Sequence, residues 1–197
     1  MNGVLRLFVA IELPERLRES VAAFFAREGR GIAGVRWVEA GRLHLTLKFL
    51  GEVGADQLPA VRGAVEAAAA DHGPFALEVR GAGAFPTAER PRVVWVGIGA
   101  GAAAVAKLAS SLERAFAPLG FAPEARPFAP HLTVGRVGAP LRDRAALPRL
   151  FAAVRDRVWG QAVVPAVHLM RSDLFPAGPI YSILATTPLP GGVRQGS

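Results

Sequence analysis

A four-residue pattern of one histidine, one threonine and two aliphatic residues occurs twice in this chain, and it limits the folds the chain can adopt. Residues 44–47 read His-Leu-Thr-Leu and residues 131–134 read His-Leu-Thr-Val. Along a strand, side chains i and i+2 share a face. His44 and Thr46 are therefore expected on one face, with Leu45 and Leu47 behind them. His131 and Thr133 repeat the arrangement over Leu132 and Val134. Each copy presents one proton-transfer group and one hydroxyl from an apolar-backed sheet. Two such strands facing each other make a site of two imidazoles and two hydroxyls.

The repetition extends beyond the motifs. The two histidines are 87 positions apart, and at that offset Phe8-Val9-Ala10-Ile11 falls on Trp95-Val96-Gly97-Ile98. Val21, Ala22 and Phe25 fall on Leu108, Ala109 and Leu112, and Phe85-Pro86 matches Phe175-Pro176 at an offset of 90. A repeat of strands and helices predicts two α+β lobes about a pseudo-twofold axis. Periodicity leaves antiparallel and mixed sheets both open.

Local patterning supplies the elements. Strands are expected at 4–11, 35–38, 43–50, 75–80, 92–98, 131–134, 163–170 and 181–186. Helices are expected at 14–28, 56–70, 101–117 and near 142–156. Gly51 and Gly54 read as the end of the first motif strand, and the Gly-rich passage after residue 80 reads as irregular. Residues 1–190 are expected to form one bilobal domain, followed by a disordered tail over 191–197.

Composition narrows the function classes. The chain has 197 residues, 51% of them hydrophobic, which suits a sizeable core. It has no cysteine, so disulfides and thiolate chemistry are excluded. The opening apolar run is short and is cut by Arg6 and Glu12, so a cytoplasmic protein without a membrane span is expected. The net charge is +7, and Lys48 and Lys107 are the only lysines. Arginine matches phosphate bidentately, so phosphate-bearing partners are favoured. A GC-rich coding sequence accounts for the same bias.

Paired histidines suit acid–base chemistry near neutral pH. One neutral imidazole takes a proton from an attacking oxygen while a protonated partner supplies one to the leaving oxygen. Threonine hydroxyls hydrogen-bond oxygens on which charge develops. Phosphoryl transfer needs both. Metal binding is the competing use, but neither motif holds a carboxylate and the chain has no His-x3-His pair. His72 and His168 lack metal-ligand spacing. No metal and no cofactor are expected.

His44-Leu-Thr46-Leu47 and His131-Leu-Thr133-Val134 resemble the paired His-x-Thr-x signature of the 2H phosphoesterase superfamily. Their surroundings are similar to the bacterial and archaeal RNA 2′,3′-cyclic phosphodiesterases, once described as 2′-5′ RNA ligases. The matching segments are Arg6–Ile11, His44–Gly51, Phe85-Pro86, Val94–Gly97, Pro130–Arg136 and Gly178–Tyr181. The resemblance implies antiparallel sheets with helices on their outer faces, a cleft between the lobes, and terminal segments that share one lobe. It implies hydrolysis of RNA 2′,3′-cyclic phosphates to 2′-phosphates without metal. His44 is then the proton donor and His131 the proton acceptor, with Thr46 and Thr133 on the phosphate oxygens. Arg136 is implied as a phosphate contact, although strict alternation puts it opposite His131 unless a bulge at Gly135 redirects it. Phe49 is expected against a base or ribose, with core packing as the alternative. Lys48 falls on the His44 face by alternation, near phosphate or solvent.

The expected partners are RNA bearing 2′,3′-cyclic phosphate ends or small cyclic nucleotides, with the protein acting as a monomer. Two alternatives share these residues. One is the reverse reaction, joining RNA ends through a 2′-5′ bond, which bulk water disfavours. The other is a non-catalytic module that binds RNA ends, although binding alone does not require two proton carriers.

Overall fold

The computed structural model describes residues 3–176 and 178–190. The tail expected to be disordered, residues 191–197, lies outside them. Among the described residues the chain forms nine strands and four α-helices. The strands are β1 (Val4–Ile11), β2 (Val35–Trp37), β3 (Leu45–Gly54), β4 (Phe75–Phe85), β5 (Val93–Ile98), β6 (His131–Val137), β7 (Val158–Val164), β8 (Ala166–Phe175) and β9 (Gly178–Pro188). The helices are α1 (Glu15–Glu28), α2 (Leu58–Ala69), α3 (Ala102–Phe116) and α4 (Ala146–Ala153).

Every strand pairing is antiparallel, which settles the choice that periodicity left open. The order β7-β4-β5-β6-β3-β1-β8-β9, with β2 added beside β6, divides into two lobes. A terminal lobe holds β3, β1, β8 and β9, and a central lobe holds β6, β5, β4 and β7. Read outward from the seam, the two series are equivalent: β3 with β6, β1 with β5, β8 with β4, and β9 with β7. The seam is one residue pair, Leu45 opposite Leu132. As the resemblance implied, the first strand and the last two share a lobe.

The helices form because their apolar residues recur at helical spacing, and each buries that stripe behind a sheet. In α1, Leu17, Val21, Phe24 and Phe25 are buried; in α3, Val105, Leu108, Ala109, Leu112 and Phe116. These helices are exchanged between lobes. The chain leaves β1 of the terminal lobe, yet α1 packs on β2, β6 and β7 of the central lobe. It leaves β5 of the central lobe, yet α3 packs on β3 and on α2, which covers β8 and β9. Both helix layers join one continuous buried core.

Several boundaries differ from expectation. β3 runs through Gly51, which adopts φ +70° within the strand, a conformation glycine reaches without steric cost. β4 continues through the Gly-rich passage to Phe85, because Gly83 lies flat under the Trp95 ring of the neighbouring strand, leaving no room for a Cβ. The helix near 142–156 is confined to α4. β7 is a strand the periodicity missed, since Pro165 splits the apolar run 158–170 into two strands that join different lobes, β7 beside β4 and β8 beside β1.

Candidate active site

The seam places the two motifs. With Leu45 opposite Leu132 in an antiparallel pair, His44 stands across from Thr133 and Thr46 across from His131. Both leucines are fully buried, so the four polar side chains project together from the other face. All four are half-buried. The structure therefore brings His44, Thr46, His131 and Thr133 to one place.

The two imidazoles are oriented identically. His44 Nδ1 lies 2.9 Å from the Arg42 carbonyl oxygen, and His131 Nδ1 lies 2.7 Å from the Ala129 carbonyl oxygen. A carbonyl only accepts, so each Nδ1 carries the hydrogen and donates it. Each Nε2 is thereby left as the proton-accepting atom of the neutral ring. Aromatic rings wall both imidazoles. Phe8 and Tyr181 stand 4.9 Å from His44, and the Phe85 ring meets His131 edge-on at 5.0 Å.

Burial and nearby cations hold both rings neutral. Desolvation lowers the His44 pKa to about 4; the Arg42 carbonyl opposes the shift, while Arg136, Arg18 and His131 add to it. Desolvation also lowers His131, opposed by the Ala129 carbonyl and assisted by Arg136. The larger depression falls on His44. Burial raises the Tyr181 pKa, so its hydroxyl stays protonated; Arg136, Arg42 and Arg6 pull the other way. Part of the positive charge seen in the composition, from Arg136, Arg18, Arg42 and Arg6, thus acts on the groups of the site.

Two bulges decide which neighbours join the site. Opposite β1, Val9 pairs with Lys48 and Ala10 with Thr46, so Leu47 is an extra residue in β3. Opposite β5, Val94 pairs with Gly135 and Trp95 with Thr133, so Val134 is an extra residue in β6. Leu47 and Val134 are themselves 87 positions apart, so the repeat includes the bulge. After a bulge the faces switch. Arg136 emerges exposed on the His131 face, and the Gly135 bulge that its placement required is present. Phe49 emerges beside Phe8, 59% exposed, which removes core packing as its role.

The same bulge corrects the expectation for Lys48. Strict alternation put it on the His44 face; the extra residue turns it to the helix side, where it is only 2% exposed. Its Nζ donates to Glu113 Oε2 at 2.8 Å and to the Ala122 carbonyl at 3.1 Å. Lys48 faces away from the cleft and ties β3 to α3. Conversely, Phe8, Tyr181, Phe85 and Trp95 border the site without having been singled out. The repeat offered one signal for two of them: Phe8 and Trp95 are aromatic at equivalent positions of strands that flank the motifs.

Among the described residues, no three His, Cys, Asp or Glu side chains gather closely enough to hold a metal ion. No helix there is long and apolar enough to cross a membrane.

Comparison with known proteins extends these local features to the whole chain. A crystal structure from Thermus thermophilus superposes with a TM-score of 0.80 at 31% identity, over 95% of this chain and 99% of that one. Escherichia coli LigT complexed with 3′-AMP gives a TM-score of 0.76 at 30% identity, with the same coverage. An RNA 2′,3′-cyclic phosphodiesterase of Methanothermobacter thermautotrophicus is 40% identical over 177 residues, 90% of this chain and 95% of the relative. One from Archaeoglobus fulgidus is 36% identical over 180 residues, 91% of this chain and 98% of the relative. Residues 9–174, which hold both motifs and both bulges, match the family model for the 2′-5′ RNA ligase superfamily, and the chain belongs to that superfamily.

Proposed function

We propose that this protein hydrolyses RNA 2′,3′-cyclic phosphate ends to terminal 2′-phosphates. The observation that carries the proposal is the matched pair of imidazoles, each fixed through Nδ1 to a carbonyl two residues back and each offering Nε2 beside a threonine. The names of the relatives at 36–40% identity support the substrate.

In this reading the cyclic phosphate lies between the two histidines. Nε2 of His131 takes a proton from water as the water oxygen attacks phosphorus. The bond from phosphorus to the 3′ oxygen breaks, and Nε2–H of His44 protonates that oxygen. Thr46 and Thr133 donate hydrogen bonds to the non-bridging oxygens, and Arg136 offsets the charge that gathers there. Phe49 and Tyr181, backed by the buried Phe8 ring, offer a face for the base or ribose. The chain's own side chains supply both proton transfers, so the proposed reaction proceeds without metal or cofactor.

The depressed pKa values add a requirement. At neutral pH the empty site favours the neutral form of both rings, with Nδ1 protonated and Nε2 bare, so the acid's Nε2 proton is taken up as the anionic substrate binds. The larger depression at His44 favours a second assignment, with His131 as donor and His44 as acceptor. The resemblance favours His44 as donor.

Incubating the purified protein in EDTA with an RNA ending in a 2′,3′-cyclic phosphate tests the activity. A 2′-phosphate product is expected. No product, or a 3′-phosphate, overturns the reading.

A further inference from the structure

The row of side chains that carries Arg136 ends in one more group. β2 lies antiparallel to β6 with Arg36 opposite Arg136, between the pairs Val35–Val137 and Trp37–Gly135. Val35 and Trp37 turn toward α1. The Trp37 ring stacks on Phe25 at 5.4 Å, and its Nε1–H donates to the Gly29 carbonyl at 3.1 Å. Alternation therefore sends Arg36 to the opposite face, where the β6 bulge has also sent Arg136. Phe85, Val93, Arg136 and Arg36 form one row across β4, β5, β6 and β2.

Both arginines are exposed, and neither makes an ion pair among the described residues. Like charges directly opposite one another destabilise a strand pair. A pair of guanidinium groups held side by side without a carboxylate is compensated when an anion binds to them. Arg136 acts electrostatically on both histidines, so its place is at the reacting phosphate. Arg36 stands one strand further out, about 4.8 Å away at the backbone. Its reach along the same face suits a second phosphate on the same nucleotide chain.

We infer that Arg36 binds the phosphodiester immediately preceding the cyclic end. The site is therefore selective for oligonucleotide over mononucleotide 2′,3′-cyclic phosphates. This inference rests on the proposed hydrolase activity and adds a subsite to it.

Two substrates separate the subsite from the chemistry: a mononucleoside 2′,3′-cyclic phosphate, and a dinucleotide with the same end and one internal phosphodiester. Arg36→Ala is expected to raise KM for the dinucleotide about five- to tenfold, the effect of losing one charge-assisted contact. Its kcat, and both constants for the mononucleotide, are expected to stay unchanged. Arg36→Lys, which keeps the charge, is expected to recover most of the loss. The fall of log kcat/KM with log salt is expected to be shallower in Arg36→Ala for the dinucleotide alone. An equal effect on both substrates, or none on either, overturns the subsite while leaving the hydrolase reading intact. Wild-type protein that turns over neither substrate overturns that reading, and the subsite with it.

Discussion

His44 and His131 each commit Nδ1 to a backbone carbonyl, so the two rings have the same tautomer and differ only in surroundings. Which of them holds the proton is a question about those surroundings, and a modified leaving group answers it. A cyclic phosphate with sulfur in place of the 3′ oxygen expels a thiolate that needs no protonation. Alanine at either histidine is expected to lower kcat on the normal substrate by about 10²-fold or more. The thio substrate is expected to restore turnover to the variant that lacks the acid and to leave the other inactive. Restoration in His44→Ala supports the donor assignment from resemblance, and restoration in His131→Ala reverses it. Because both pKa values lie below 6.5 in the free protein, the singly protonated pair is most populated on the acid side of neutrality. The kcat/KM profile is accordingly expected to be bell-shaped with its maximum below about pH 6.5. A flat profile, or a maximum above about pH 7.5, would argue against a two-histidine mechanism.

At the scale of elements, the bulge was the part of the site the sequence concealed. Reading His44 and Thr46 onto one face needed only the period of a strand, and the structure agrees. Carrying that period two residues further failed for Lys48, because the extra residue Leu47 turns the next side chains to the other face; the same turn brings Phe49 out to the exposed side, as the resemblance implied. Gly135 gave a visible reason to suspect a bulge in β6: a Cβ there would stand 3.0 Å from the Trp37 ring and from Val35. Nothing local marks the matching bulge in β3. Its signal lies 65 residues away in Glu113, which receives the buried Lys48 ammonium. This pair makes an ordered prediction about stability. Glu113→Ala leaves the Lys48 charge buried and keeps only the Ala122 carbonyl as partner, and is expected to cost about 3 kcal/mol. That is the low end of the about 3–5 kcal/mol for broken buried pairs, because Glu113 is itself 26% exposed. Lys48→Met leaves a carboxylate that can reach water and is expected to cost less. Urea denaturation of both variants checks the order; a larger loss in Lys48→Met would contradict it.

For the whole molecule, the repeat was legible as an offset, whereas the exchange of helices was not, because periodicity identifies a buried face without naming what it packs against. Exchange means that a half-chain cut at the repeat boundary loses strands its helices cover: α1 loses β6 and β7, and α2 loses β8 and β9. We therefore expect one cooperative unfolding transition. All three tryptophans, Trp37, Trp95 and Trp159, lie on strands of the central lobe, so their fluorescence follows that lobe while far-ultraviolet circular dichroism follows both. The two transitions are expected to coincide in denaturant; separate midpoints would mean independent lobes. The exchange also bears on how such a chain can arise. A polypeptide with only the first repeat would have a helix whose apolar stripe belongs on another copy's sheet. It could bury that stripe only by pairing with its twin across a twofold axis. Each twin would bring one histidine to the seam, so the smallest competent ancestor is a symmetric dimer with a shared site. Joining the copies into one chain freed the two halves to diverge, and Phe49 and Arg136, equivalent by position and unlike in chemistry, record that divergence.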